Sequence, residues 1–316
     1  MIQAASAAKT RVPVDAIAFT SDGASVAVNG YREIIFRSMA DGQIQRRVRC
    51  DLERITGLAF FESSPLVLAG GGVPGEIGSV QALNGSSGIL EWKIEPHDDL
   101  ITNFSISPDG ALLATASADG DVKIFRLHSP GREPKHEQTF SDHSGPVLDL
   151  LFTPDGQSLV TSSADRTLKV WRVADGTLQR TFGNHTGIVH CLALRPAAQT
   201  GNGTAPVACA SGSEDSTVRI WQPQIGRMVR IVRQHKGSVL ALAYSADGKQ
   251  LFSAGKEGII RAIDAESDQI LREWPAHPDW IYEMAVTPNG QWLISGDWAG
   301  ELRAWDLTQT MPRRIW

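Results

Sequence analysis

The sequence predicts an all-β chain assembled from seven copies of one four-stranded antiparallel unit. Three observations predict it: a recurring ten-residue phrase, a recurring turn, and apolar residues that alternate with period two. The phrase "SSADRTLKVW" (Ser162 to Trp171) returns 46 residues earlier as "ASADGDVKIF" from Ala116 and 50 residues later as "GSEDSTVRIW" from Gly212. Self-similarity at a period of about 20 to 50 residues marks repeat architectures, in which each copy is one supersecondary unit.

The turn orders the copies. Unit one closes "TSDG" at Gly23, unit three "SPDG" at Gly110, unit four "TPDG" at Gly156, unit six "SADG" at Gly248 and unit seven "TPNG" at Gly290. Gly110 to Gly156 is 46 residues, Gly156 to Gly248 is twice 46, and Gly248 to Gly290 is 42. Units two and five carry weaker copies, "LAFFESSP" ending at Pro65 and "LALRPAAQTGNGTAP" ending at Pro206. Within unit four the runs "VLDLLF", "SLVTSS", "LKVWRV" and "TLQRTF" alternate apolar and polar residues between Gly, Asp and Pro, the pattern of half-buried antiparallel strands. Four such strands and their turns fill a unit of about 40 to 45 residues. No capped segment of helical period stands out. A lone four-stranded sheet cannot bury its apolar faces, whereas seven packed face to face around an axis can.

Polar residues recur in the same frame. Unit four has His143, Thr161, Asp165 and Trp171; unit five has His185, Ser211, Asp215 and Trp221. His97 to Asp119, His143 to Asp165 and His235 to Glu257 are each 22 residues apart, and the 30 from His185 to Asp215 reflects an eight-residue insertion in "PAAQTGNGTAP". With these residues the chain resembles the WD40-repeat β-propeller family, in its bacterial-type, seven-bladed form, and the resemblance covers residues 1–316 as one domain. It implies a buried polar chain in each blade: the Trp indole donates to the hydroxyl, the hydroxyl links to the imidazole, and the Asp orients the imidazole. Since an unpartnered buried polar group costs about 1 to 3 kcal/mol, these residues are expected to be structural rather than catalytic. Departures follow. Phe125 replaces Trp in blade three, Glu257 and Ile263 replace Asp and Trp in blade six, and Ala299 stands at the Asp position of blade seven beside His277, Ser295 and Trp305. Blades one and two have Phe36 and Leu83 at the Trp position and Thr10 and Asp51 at the His position. The N- and C-terminal segments are expected to meet in the last blade, where either "TMPRRIW" (Thr310 to Trp316) or the stretch before Val12 can supply the outermost strand; the N-terminal stretch is favoured, with Trp316 packing nearby.

Bulk properties exclude several function classes. Net charge is −5 with no continuous basic segment, so there is no electrostatic footprint for nucleic acid. The basic clusters Arg46 to Arg49 and Arg227, Arg230, Arg233 fall on predicted outermost strands, where charge discourages edge pairing. The N-terminus lacks a basic region followed by an apolar stretch, and no run approaches about 18 apolar residues; a soluble, cytoplasmic, monomeric propeller without membrane contact is expected. Three cysteines, Cys50, Cys191 and Cys209, form no even framework and point to reduced thiols. Five of eight histidines occupy the repeated His position, and His128, His136 and His190 have no partner at ligand spacing, so neither metal nor cofactor is expected. The Gly-rich "AGGGVPGEIGSV" (Ala69 to Val80) lacks the ending of a phosphate loop and reads as a long inter-strand loop. Related bacterial propellers with such a second blade often sit beside c-type haem domains, but no C-x-x-C-H attachment occurs here.

In the family, one face of the disc is lined by the residues three and five past each His position and by the one before each Asp. Carried onto this chain, those positions include Asp15, Arg54, Thr56, His190 and Lys256, and blade seven contributes Trp280, Tyr282 and Trp298 together. Aromatic anchors dominate interface hot spots. The expected function is a non-catalytic scaffold that binds protein or peptide partners on this face, centred on the three aromatics and flanked by Lys256, Arg54, Asp15 and His190. The alternative is an accessory or regulatory module of a multi-component redox or signalling enzyme whose catalytic part lies elsewhere. An autonomous enzyme using the central channel has no visible acid, base or nucleophile to support it.

Overall fold

A computed structural model of the chain describes residues 11–61, 64–128, 131–196, 206–309 and 311–316. They form seven four-stranded antiparallel sheets, in each of which sequence neighbours pair, and the strands are numbered β1 to β28 in chain order. No helix long and apolar enough to cross a membrane occurs among the described residues. Thr10 and most of the blade-five insertion lie outside them.

Blade four shows how the repeated phrase makes a blade. β13 (Val147–Phe152) turns through "TPDG" into β14 (Ser158–Ser163). The Thr153 hydroxyl donates to Asp155 Oδ1 at 2.6 Å, and the same oxygen accepts from the Gln157 N–H at 3.0 Å, while Gly156 takes φ 66°, where a Cβ would be strained. β14 then pairs with β15 (Leu168–Arg172), which carries Trp171 into the sheet, and β16 (Leu178–Phe182) completes the blade with an exposed outer edge.

Apolar clusters lie between the sheets. Blade one packs on two, two on three, and so on around the ring, and the seventh such cluster joins Val26, Val28 and Met39 of blade one to Ile294 and Ala304 of blade seven. Each sheet therefore buries both faces against neighbours, which one blade alone could not do.

Two sequence expectations are corrected. The Gly-rich stretch is not a loop: it spans two eight-residue strands, β6 (Leu66–Val73) and β7 (Ile77–Asn84), joined by a tight turn. Its glycines are needed for close approach. A Cβ on Gly71 would lie 1.9 Å from the Arg54 carbonyl oxygen, and one on Gly70 would lie 2.5 Å from the Phe104 ring. The outermost strand of blade seven is β28 (Arg313–Arg314), from the C-terminus, paired with β27 (Leu302–Asp306); residues 1–10 lie outside the described residues. The N-terminal segment reaches blade seven at Asp297, whose carbonyl accepts from the Val14 N–H at 3.1 Å. Trp316 bridges the seam, its indole donating to the Met39 carbonyl at 3.3 Å.

Candidate functional site

Buried polar chains set the blade geometry under the candidate surface. In blade four His143 Nδ1 donates to Asp165 Oδ2 (2.8 Å), His143 Nε2 accepts from the Thr161 hydroxyl (2.7 Å), and the Trp171 indole donates to Thr161 Oγ1 (3.0 Å). Blade five repeats this with His185, Asp215, Ser211 and Trp221 at 2.7–2.8 Å. Burial opposes ionisation of Asp165 and Asp215, but hydrogen bonds from Thr167 and His143, and from Thr217 and His185, outweigh it and hold both carboxyls at about 2. Burial in turn lowers His143 and His185, so their imidazoles are neutral links.

Blade seven departs from the expectation at Ala299. Asp297, the last residue of β26 (Trp292–Asp297) and fully buried, supplies the carboxylate, accepting from His277 Nδ1 at 2.9 Å. The blade's chain is therefore complete through Ser295 and Trp305. Glu301 brings a third ligand atom within 4.8 Å of His277 and Asp297, but it already accepts from Arg303 and Arg314, which leaves little free charge for a metal. Blade six reverses the imidazole: Arg261 can only donate, so His235 Nδ1 accepts from it at 3.0 Å and Nε2 donates to Ser253 at 2.8 Å. Burial and the Arg261 charge push His235 down to about 4.

Above these chains lies the face named from the sequence. Trp280 and Trp298 are 40% and 49% exposed, large values for Trp. Tyr282 sits between them, with ring centroids 6.4 Å from Trp280 and 5.5 Å from Trp298. The Trp298 N–H donates to the Trp280 carbonyl at 2.9 Å, which ties the two loops together. Lys256 reaches over from blade six, its Nζ 4.6 Å from the Trp280 ring centroid. Arg54 and Asp15 pair with each other at 2.9 Å rather than standing free, and burial, only partly offset by Arg54, raises the Asp15 carboxyl.

Tyr282 also forms part of the wall of a funnel at the mouth of the central channel, a cavity of about 290 Å³ lined in addition by Asp15, Arg54, Thr56, Thr102, Leu148, His190 and Leu240. Burial keeps His190 neutral. Thr56 and Thr102 do not offer free hydroxyls: each donates to a carbonyl of the next innermost strand, Ile101 at 2.5 Å and Val147 at 2.6 Å.

The floor of the funnel holds residues that the sequence reading missed. Asn103, Asp149, Cys191 and Glu283 face it from β9 (Ile101–Ile106), β13, β17 (Val189–Leu194) and β25 (Ile281–Val286). Each lies six residues past its blade's His, so one column of the repeat contained the signal. In blades four, five and seven the innermost strand bulges just before this residue, which re-aims it. Asp149 staples three blades: Oδ1 accepts from Asn103 Nδ2 and the Leu150 N–H, and Oδ2 from the Leu192 N–H, all at 2.7 Å. Burial still raises it to about 6. Glu283 is pushed to about 8, by burial first and then by the charge of Asp149. Burial raises the free Cys191 thiol too, which makes it an inert lining rather than a nucleophile.

A closed ring of seven four-stranded blades around a funnel-shaped channel defines the chain as a β-propeller. The WD domain, G-beta repeat matches residues 88–126, 134–172, 176–222, 226–264 and 268–306, more than half of the sequence, and the chain belongs to the WD40-repeat family. Blade one and most of blade two, which lack the His–Asp–Trp chain, fall outside the matched segments. Among curated relatives, the chain is 31% identical over 70 residues to the Target of rapamycin complex subunit wat1 of Schizosaccharomyces pombe, 22% of each chain. It is 32% identical over 71 residues to human kinesin-like protein KIF21A, covering 22% of this chain and 4% of that one. It is 42% identical over 48 residues to human WD repeat-containing protein 36, covering 15% of this chain and 5% of that one. The matches thus span less than a quarter of those relatives' lengths.

Proposed function

We propose that this propeller is a non-catalytic interaction scaffold that docks a polypeptide segment on the face built by Trp280, Tyr282, Trp298 and Lys256, beside the funnel walled by Asp15, Arg54 and His190. The observation that carries the proposal is the exposure of two tryptophans on one rim, held by a main-chain hydrogen bond and continuous through Tyr282 with a cavity. Rigid aromatic side chains give large contact area at low entropic cost, and truncating such anchors typically costs about 2 kcal/mol or more. WD40 propellers are typically interaction scaffolds, in keeping with this proposal. Among the described residues no nucleophile is poised beside a base in the funnel: the Cys191 thiol is inert and the Thr56 and Thr102 hydroxyls are engaged.

The test compares the wild-type chain with the triple variant Trp280→Ala, Tyr282→Ala, Trp298→Ala as baits in native lysate. Because both tryptophans are substantially exposed, the variant should keep its fold and melt within a few degrees of wild type while losing its partner. A partner retained by the folded variant would refute this docking face. The accessory-module alternative is favoured by one relative's description as a complex subunit. It predicts that the captured partner carries a catalytic domain.

A further inference from the structure

The funnel floor holds an acid without a counter-charge. Asp149 has its oxygens engaged by three donors, whereas the half-buried Glu283 carboxyl accepts from the Met284 N–H, and among the described residues no cationic or hydroxyl side chain bonds to it. The charged and titratable groups that face it do not supply the missing cation. Asp149 and, more weakly, Asp15 repel it, Cys191 and His190 are neutral, Tyr282 is held above its ordinary value by burial, and Arg54 is committed to Asp15. Lys256 lies on the Trp280 ring at the rim, not in the funnel. An acid kept in such a place favours a ligand that brings its own positive charge.

We propose that the docked polypeptide inserts one lysine or arginine side chain into the funnel, its aliphatic stem along Tyr282 and Leu240 and its cationic head against Glu283. This rests on the docking face proposed above. Charge complementarity selects the occupant, and size agrees: about 290 Å³ is at the lower limit of small-molecule sites, room for a single side chain. An aromatic wall suits both the stem and the head, since long cationic side chains lay their methylenes on apolar surface and their charge near ring faces. The rim tryptophans would hold the flanking residues of the same segment.

The probe is n-butylguanidinium, titrated into the whole chain against its neutral analogue n-butylurea and against Ca²⁺, with the methyl resonances of Leu148 and Leu240 as the readout. Butylguanidinium should shift them saturably and butylurea should not. Its affinity should rise about fiftyfold between pH 6 and 8, as binding displaces the Glu283 proton. Glu283→Gln, which removes an unfavourable buried acid and should fold, is expected to lower affinity at least about tenfold at pH 8 and abolish the pH dependence. Equal binding of butylurea, unchanged binding by Glu283→Gln, or saturable shifts with Ca²⁺ alone would each overturn the socket. Loss of partner in the aromatic triple variant, beside a funnel that takes no cation, would leave the docking face standing and remove only the socket. A funnel that takes the cation, beside a partner retained by the triple variant, would refute the docking face and with it the polypeptide origin of the cation.

Discussion

Glu283→Gln should make this protein more stable, and more so at higher pH. The carboxyl is raised from 4.5 to about 8, so the native state binds more protons than the unfolded state throughout that window. Stability from this group is therefore lost as pH rises from 4.5 towards 8. Each pKa unit corresponds to about 1.4 kcal/mol, and water reaching the side chain through the funnel reduces the effect, so about 2–3 kcal/mol is expected near neutrality. Asp149 adds a slope of the same sign between 3.8 and about 6. Glutamine preserves the shape and removes the ionisation. Urea unfolding at pH 5 and pH 8 would measure it: the variant should exceed wild type by about 2–3 kcal/mol at pH 8 and by less than about 1 kcal/mol at pH 5. A gap of equal size at both pH values, or a less stable variant at pH 8, would show that Glu283 is not an acid held in the funnel without a counter-charge.

Gly71→Ala should destabilise the chain by more than about 2 kcal/mol in the same assay, because its Cβ meets a backbone carbonyl at 1.9 Å that cannot move without opening the pairing of β5 (Arg54–Phe60) with β6. Asp297→Ala should cost about 1–3 kcal/mol by leaving His277 Nδ1 without its acceptor, whereas Ala299→Asp should add no stability because the carboxylate position is already filled; thermal melting of both separates the two sites. Deleting residues 313–316 removes β28 and the Trp316 bridge to blade one, and should cost about 2 kcal/mol or more, read as a lower urea midpoint and faster proteolysis near Met39.

Much of the blade was legible because its rules are local. "TPDG" and "SADR" prescribe turns within a few residues, and the 22-residue spacing from His143 to Asp165 is the length of one hairpin and its approach. The Gly-rich stretch was misread because glycine signals loops by its entropy, while Gly70 and Gly71 serve contacts with Phe104 and Arg54 that lie elsewhere in the chain. Ala299 misled for a similar reason: Asp297 reaches the same imidazole from the end of β26, a substitution visible only when the two positions are close in space. Alternation in "VLDLLF" and "IYEMAV" marks Asp149 and Glu283 as polar positions, but not that bulges turn both towards one channel.

By itself, then, the sequence determined the seven units, their strands, the intact polar chains of blades four and five, and the clustering of Trp280, Tyr282 and Trp298 in one repeat, all consequences of short-range spacing. Only the tertiary structure decided how the ring closes, through Arg313–Arg314 and Trp316, and which residues meet at its axis. Closure joins residues some 277 positions apart, and the axis gathers one residue from each of several strands. The raised acids exist only there, since burial at the axis raises Asp149 and burial together with the charge of Asp149 raises Glu283, relations that no spacing along the chain encodes.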